Sequence, residues 1–133
     1  MNADFFIDFN GNWFHNGAPI ERAALVKLFA ERALKVDEAG DYWLSTPFEK
    51  YPVAVEDVPF LIVSIQEDSA GFAAVTNLGE TITLPAEKPF EMRFNAKENM
   101  ELPYAHVRNG LYARLSRAAY YDVIERFGTA LFS

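Results

Sequence analysis

The stretch PYAHVRNGLYARLSRAAYY, residues 103–121, decides the fold class, because it reads in succession as strand, tight turn, strand and helix start. Tyr104 to Val107 mixes aromatic and branched side chains that pack well on a pleated surface. Asn109-Gly110 supplies two residues that tolerate positive φ, as a two-residue hairpin loop requires, and Leu111 to Leu115 is the returning strand. Ser116 then stands as an N-cap whose hydroxyl can accept one of the unpaired amides of a helix from about Arg117 to Phe127. Tyr120, Tyr121, Ile124 and Phe127 recur there at helical spacing, and Gly128 offers a stop. The apolar Ala130-Leu131-Phe132 beyond it would pack as an edge strand or mark the boundary of a shortened chain. A hairpin running into a helix points to an α+β fold.

Working outward, the N-terminal end follows the same logic. Phe5, Phe6 and Ile7 precede Asp8-Phe9-Asn10-Gly11-Asn12, and Trp13 with Phe14 follow, which predicts a hairpin. His15-Asn16-Gly17-Ala18-Pro19 breaks the ladder and leads to a helix over roughly Glu21 to Lys35, with Ala24, Leu25, Leu28, Phe29, Arg32 and Ala33 on its apolar face. Glu21 and Lys35 sit at the ends that suit the helix dipole. A fully buried Phe29 ring would be worth about 3–5 kcal/mol against alanine. After the turn Asp37-Glu38-Ala39-Gly40-Asp41, strands are expected at Tyr42 to Leu44, through Val53, Val55 and Val58, and at Leu61 to Ile65. Glu67 to Gly71 turns the chain again before Phe72 to Val75.

YWLSTPFEKYPVAVEDVPFLIV is shadowed by FAAVTNLGETITLPAEKPFEMR at an offset of 30 positions. Tyr42 aligns with Phe72, Thr46 with Thr76, Pro59 with Pro89 and Phe60 with Phe90. Two copies of a strand-turn-strand-turn-strand unit, at about 42–65 and 72–95, would account for this, as would convergence of ordinary strand and Pro-containing turn patterns. The expected architecture is α+β, with two related β-rich motifs packed with two main helices in one compact domain spanning residues 1–133.

With 133 residues, 50% of them hydrophobic and 12 of them Phe, the chain can bury a core without staples. The absence of cysteine excludes disulfides, thiolate nucleophiles and cysteine-ligated zinc or iron–sulfur sites. A net charge of −7 opposes non-specific binding to phosphate backbones, so no nucleic-acid partner is expected. Apolar runs such as Phe60 to Val63 are far shorter than a membrane span, and MNADFFIDFNG lacks the basic-then-apolar pattern of a secretory signal. The expected compartment is the cytoplasm, with no membrane association.

Neither His15 nor His106 belongs to an HExxH or other close metal-ligand spacing. Asp4, Asp8 and His15 would converge if the first hairpin closes, yet Asn10, Asn12 and Asn16 around them suit turn geometry, and no metal or cofactor is expected. Glu56-Asp57 could divide acid and base duties, or simply accept backbone N–H bonds at the approach to a strand. Arg108, Arg114 and Arg117 form the most suggestive basic set, suited either to an anionic ligand or to pairing with some of the 19 acidic residues. His15 and His106 would tune such a site, and Tyr104 or Tyr112 would supply packing area and a hydroxyl. No GxGxxG, GxxxxGK[ST] or GxSxG pattern is present.

FFIDFNGNWFHNGAPIER, VEDVPF, TNLGE and PYAHVRNGLYARLSRAAYY, in this order from Asp4 to about Phe127, resemble the bacterial domain-of-unknown-function family 1285. The resemblance implies repeated β-rich motifs with packed helices and a suggested part in signal transduction. It transfers no catalytic residues. It also implies members longer on the C-terminal side and a glutamate where this chain has Tyr112. The functional expectation is therefore a ligand-sensing or protein-interaction domain for a small anion or a protein partner, not an enzyme. The alternatives are a small hydrolase or metal-dependent enzyme assembled from distant residues, which would need a nucleophile, base and orienter in contact, and a structural oligomerisation module, which would need an exposed apolar patch.

Overall fold

The structure, a computed structural model, describes residues 4–132. Three of its turns share one chemistry. Asp8, Asp37 and Thr76 each open a five-residue connection and each accepts, through a side-chain oxygen, the amides two and four residues on. The fourth position is glycine each time, with φ of 80° at Gly11, 88° at Gly40 and 85° at Gly79, where a side chain would be strained. The three tips are therefore specified by an Asp/Thr-x-x-Gly-x pattern, and the strands on either side inherit their register from them.

The chain divides into two compact units, one formed by residues up to Pro59 together with Arg108–Leu111, the other by Phe60–Val107 and the chain from Tyr112 onward. In the first, β1 (Phe5–Ile7), β2 (Trp13–His15), β3 (Ala18–Pro19), α1 (Ala23–Arg32), β4 (Leu34–Val36), β5 (Tyr42–Ser45) and β6 (Lys50–Val55) follow in order. The sheet runs β3-β2-β1-β6-β5-β4, with β1 and β6 parallel at its centre and Ile7 opposite Val55. Two antiparallel meanders thus meet at one parallel join. Ile7, Trp13, Leu44 and Val53 bury themselves on the sheet, and Glu56 Oε1 accepts the Phe9 amide at 2.9 Å, the carboxylate-to-backbone bond expected near that strand.

Helix α1 is shorter than expected and turned. Lys35 lies in β4, and the helix buries Val26 and Ala30, while Ala24 and Leu28 face solvent, Leu28 at 51% exposure. Of the expected face Ala33 is buried and Leu25 and Phe29 are half-buried, while Val26 and Ala30 take the deepest places in the helix, a shift that the same helical spacing admits. Phe29 sits at the margin, half-buried, its ring edge-on to Phe5 with centroids 5.8 Å apart. Phe29→Ala should therefore cost about 1–2 kcal/mol in urea unfolding, less than a fully buried ring.

The second unit contains β7 (Phe60–Asp68), β8 (Gly71–Thr76), β9 (Thr81–Pro85), β10 (Glu91–Asn95), β11 (Met100–Arg108), β12 (Leu111–Leu115) and α2 (Arg117–Phe127). Its order, β10-β11-β12-β7-β8-β9, repeats the plan of the first sheet, with β7 and β12 parallel at the centre. In both sheets three strands step outward from the centre, the chain crosses to the far edge, and three strands step back in. The crossing in this unit takes only residues 86–90. Six strands side by side span about 24 Å, and so short a link reaches about 20 Å at most, so the sheet must coil to bring its edges together. Asn109 and Gly110 take the positive-φ hairpin turn, and Ser116 Oγ accepts the Ala119 amide at 3.2 Å as the cap of α2. That helix buries Ala119 and Val123, and its Phe127 ring stands edge-on to Phe72 at 5.7 Å. The Ala130–Phe132 tail is a short 3₁₀ turn, not an edge strand: Leu131 is buried and Phe132 stacks on Tyr120 at 5.1 Å.

The related motifs are thus the two six-stranded sheets, each with a helix. The segments 42–65 and 72–95 do not form units with those bounds, since the first contains β5 and β6 of one sheet and β7 of the other. The 30-position echo still has a physical source. Thr46 and Thr76 both accept turn amides through Oγ1, holding the tips of the β5–β6 and β8–β9 hairpins. Among the described residues, no helix is long and apolar enough to cross a membrane.

Candidate functional site

Each arginine singled out in the sequence has a different setting. Arg108, at the hairpin tip that belongs to the first unit, donates from Nη2 to the Ala30 carbonyl at 2.8 Å. Arg114 is buried on β12, and Arg117 opens α2 with its guanidinium 5.9 Å from the Tyr121 ring. His15, in the first unit, stacks flat on Phe5 at 4.5 Å. Asp8 is engaged by the Asn10 and Asn12 amides and by Asn12 Nδ2, which is turn chemistry. Among the described residues, no group of three or more His, Asp or Glu is placed to hold a metal.

Tyr104, His106 and Tyr112 are brought together. Tyr104 and His106 are alternate residues of β11 and so project from one face, and the His106 ring stands edge-on to Tyr112 of β12 at 5.1 Å. With Lys88, Pro89, Phe90, Glu91 and Ala105 they line an open cleft of about 270 Å³ within the second unit. Tyr104 is itself buried, its hydroxyl accepting from Asn95 Nδ2 at 3.0 Å, so its ring is a fixed wall. Opposite Tyr104 in the β10–β11 register stands Glu91, and two residues on, Arg93 lays its guanidinium 4.2 Å from the Tyr112 ring and 5.3 Å from Tyr104. An arginine plane held against aromatic rings keeps its N–H edge available to an acceptor in the ring plane's surroundings.

Lys88, Glu91 and Arg93 were missed in the sequence, although Glu91-x-Arg93 has the alternate spacing that puts two side chains on one face of a strand. Lys88, just before Pro89, has φ 129°, a region that residues with side chains rarely adopt. Backbone strain of this kind gathers at ligand sites. In the first unit the Trp43 indole N–H holds the Asp37 carboxyl below its usual range, and the Glu49 carboxylate holds the Tyr51 hydroxyl above its own. Both follow from local hydrogen bonds along β4 to β6.

The family described as "Domain of unknown function (DUF1285), N-terminal domain" matches residues 1–58, and "Protein of unknown function (DUF1285), C-terminal domain" matches residues 59–130. A crystal structure of a DUF1285 family protein from Silicibacter pomeroyi DSS-3 is 32% identical, with a TM-score of 0.82 over 93% of this chain and 69% of its own. A second, from Shewanella baltica OS155, is 28% identical with a TM-score of 0.75 over 98% of both chains. No curated protein matches.

Proposed function

This chain belongs to the DUF1285 family, and on that premise we propose that its C-terminal unit is a non-catalytic binding domain for a small anion, serving cytoplasmic signal transduction. The observation that carries the reading is the open cleft lined by Lys88 and the aromatic walls Tyr104, His106 and Tyr112, with the Arg93 guanidinium beside it against the Tyr112 ring. Cations beside aromatic surface suit a small anion that also carries an apolar body. The net charge of −7 disfavours anions at a distance, but screening over about 8 Å leaves the local charges, Lys88 and Arg93 against Glu91, to decide binding at the cleft. The signalling role rests on what has been suggested for the family, and the cytoplasmic setting on the charge and hydropathy pattern of the chain.

The test is a titration of the ¹⁵N-labelled full chain with phosphate, sulfate, succinate and benzoate. Saturable shifts are expected at the amides of Lys88, Phe90 to Glu91, Tyr104 to His106 and Tyr112 with at least one of them, and their loss in the Lys88→Ala/Arg93→Ala double variant. Dispersed spectra with no saturable shift at these positions for any of the four would overturn the reading.

A further inference from the structure

We infer that the anion taken by this cleft is a carboxylate and that Glu91 is its built-in competitor for Arg93, an inference that rests on the binding reading above. Glu91 and Arg93 are alternate residues of the edge strand β10 and therefore point from the same face. Arg93 Nε donates to Glu91 Oε2 at 2.5 Å, and Arg93 Nη2 pairs with that same oxygen. The guanidinium thus spends two donors on one oxygen. The matched arrangement for this edge of an arginine is a fork, with each N–H meeting a separate carboxylate oxygen. A carboxylate tethered two residues away on the same strand has not reached that arrangement, whereas a free one approaching from the cleft can.

Glu91 holds its place weakly. The two side chains are 56% and 40% exposed, and exposed ion pairs of this kind contribute little. Displacing Glu91 leaves the guanidinium where it is, because the Tyr112 and Tyr104 rings support it independently of the ion pair. Charge counting also favours a carboxylate over a phosphate dianion. Lys88 and Glu91 line the cleft and Arg93 stands beside it against Glu91 and Tyr112; together the three leave one net positive charge, which a monoanion neutralises and a dianion overshoots. Pro89, Phe90 and Tyr112 provide the surface against which the apolar body of such an acid would lie. Glu91 then sets a threshold: only an acid that outcompetes it occupies the site.

The experiment follows benzoate, its neutral isostere benzamide, and phosphate by the same amide shifts in the wild type, Glu91→Gln and Glu91→Ala. Benzoate is expected to bind the wild type and to bind both variants roughly 3- to 10-fold more tightly, since one like charge a few ångström away is removed. Benzamide should shift none of the cleft amides at the same concentrations, and phosphate should bind more weakly than benzoate. Benzoate binding that is unchanged or weakened in both variants sinks the competitor role and leaves the binding reading standing. Phosphate binding without benzoate binding overturns the carboxylate assignment alone. Absence of shifts with every anion in all three proteins overturns both readings together.

Discussion

Replacing Gly71 with alanine is expected to lower the stability of the C-terminal unit by more than about 3 kcal/mol, the range of substitutions that force backbone apart. Gly71 begins β8 with φ 145°, and a Cβ there would stand 2.4 Å from the Leu84 carbonyl oxygen, 2.8 Å from the Ala86 nitrogen and 3.1 Å from the Pro85 carbonyl carbon. All three are backbone atoms of β9 and its exit. Relief would require β9 to leave β8, breaking the register that sets Gly71 opposite Pro85 and Phe72 opposite Leu84. The same displacement would pull on residues 86–90 and so on Lys88 at the cleft. Gly17 is the control, since it also has positive φ, at 84°, but nothing lies within 4 Å of its Cβ position. Gly17→Ala should cost about 1 kcal/mol, the conformational penalty alone. Urea unfolding followed by circular dichroism would measure both, and a Gly71→Ala protein as stable as Gly17→Ala would show that β9 accommodates the methyl.

Phe60→Ala should cost about 3–5 kcal/mol. Phe60 is 1% exposed at the start of β7, opposite Ala113 in the parallel join with β12, and Ala113 and Ile62 are 0% exposed. A strand at the centre of a sheet has neighbours on both edges, and here residues on both of its faces are buried, so the missing ring leaves a cavity with little means of collapse. Phe60→Leu should lose markedly less, because most of the volume is retained. Equal losses for the two variants in the same unfolding experiment would mean that shape rather than volume governs the site.

Residues near one another in the chain made several features legible in the sequence. Ser116 capping α2, Asn109-Gly110 closing a hairpin and Asp8 organising its turn each involve partners a few positions apart, so the chemistry is visible in the string. The face of α1 was not, because two apolar stripes with the same spacing were available and the sheet selected Val26 and Ala30. The tail at Ala130 to Phe132 was apolar in a way that suits a strand as well as the 3₁₀ turn that packs Phe132 on Tyr120. For the candidate site, the aromatic members Tyr104, His106 and Tyr112 were named from the sequence, whereas Lys88, Glu91 and Arg93 were not. Glu91 and Arg93 are set beside Tyr104 by the pairing of β10 with β11, and Lys88 by the link that leads into β10, which no local pattern announces.

The amino-acid sequence by itself determined the α+β class, the hairpins, the cap of α2 and the family, because these depend on backbone preferences and side-chain bonds over a few residues. Tertiary structure alone decided the grouping of the strands β1 to β12 of the described residues into two sheets of one plan, the parallel joins of β1 with β6 and β7 with β12, and the meeting of Arg93 with Tyr112. Those pairings join residues far apart in the chain, and what selects among them is burial of apolar surface, a property of the whole packed arrangement rather than of any segment.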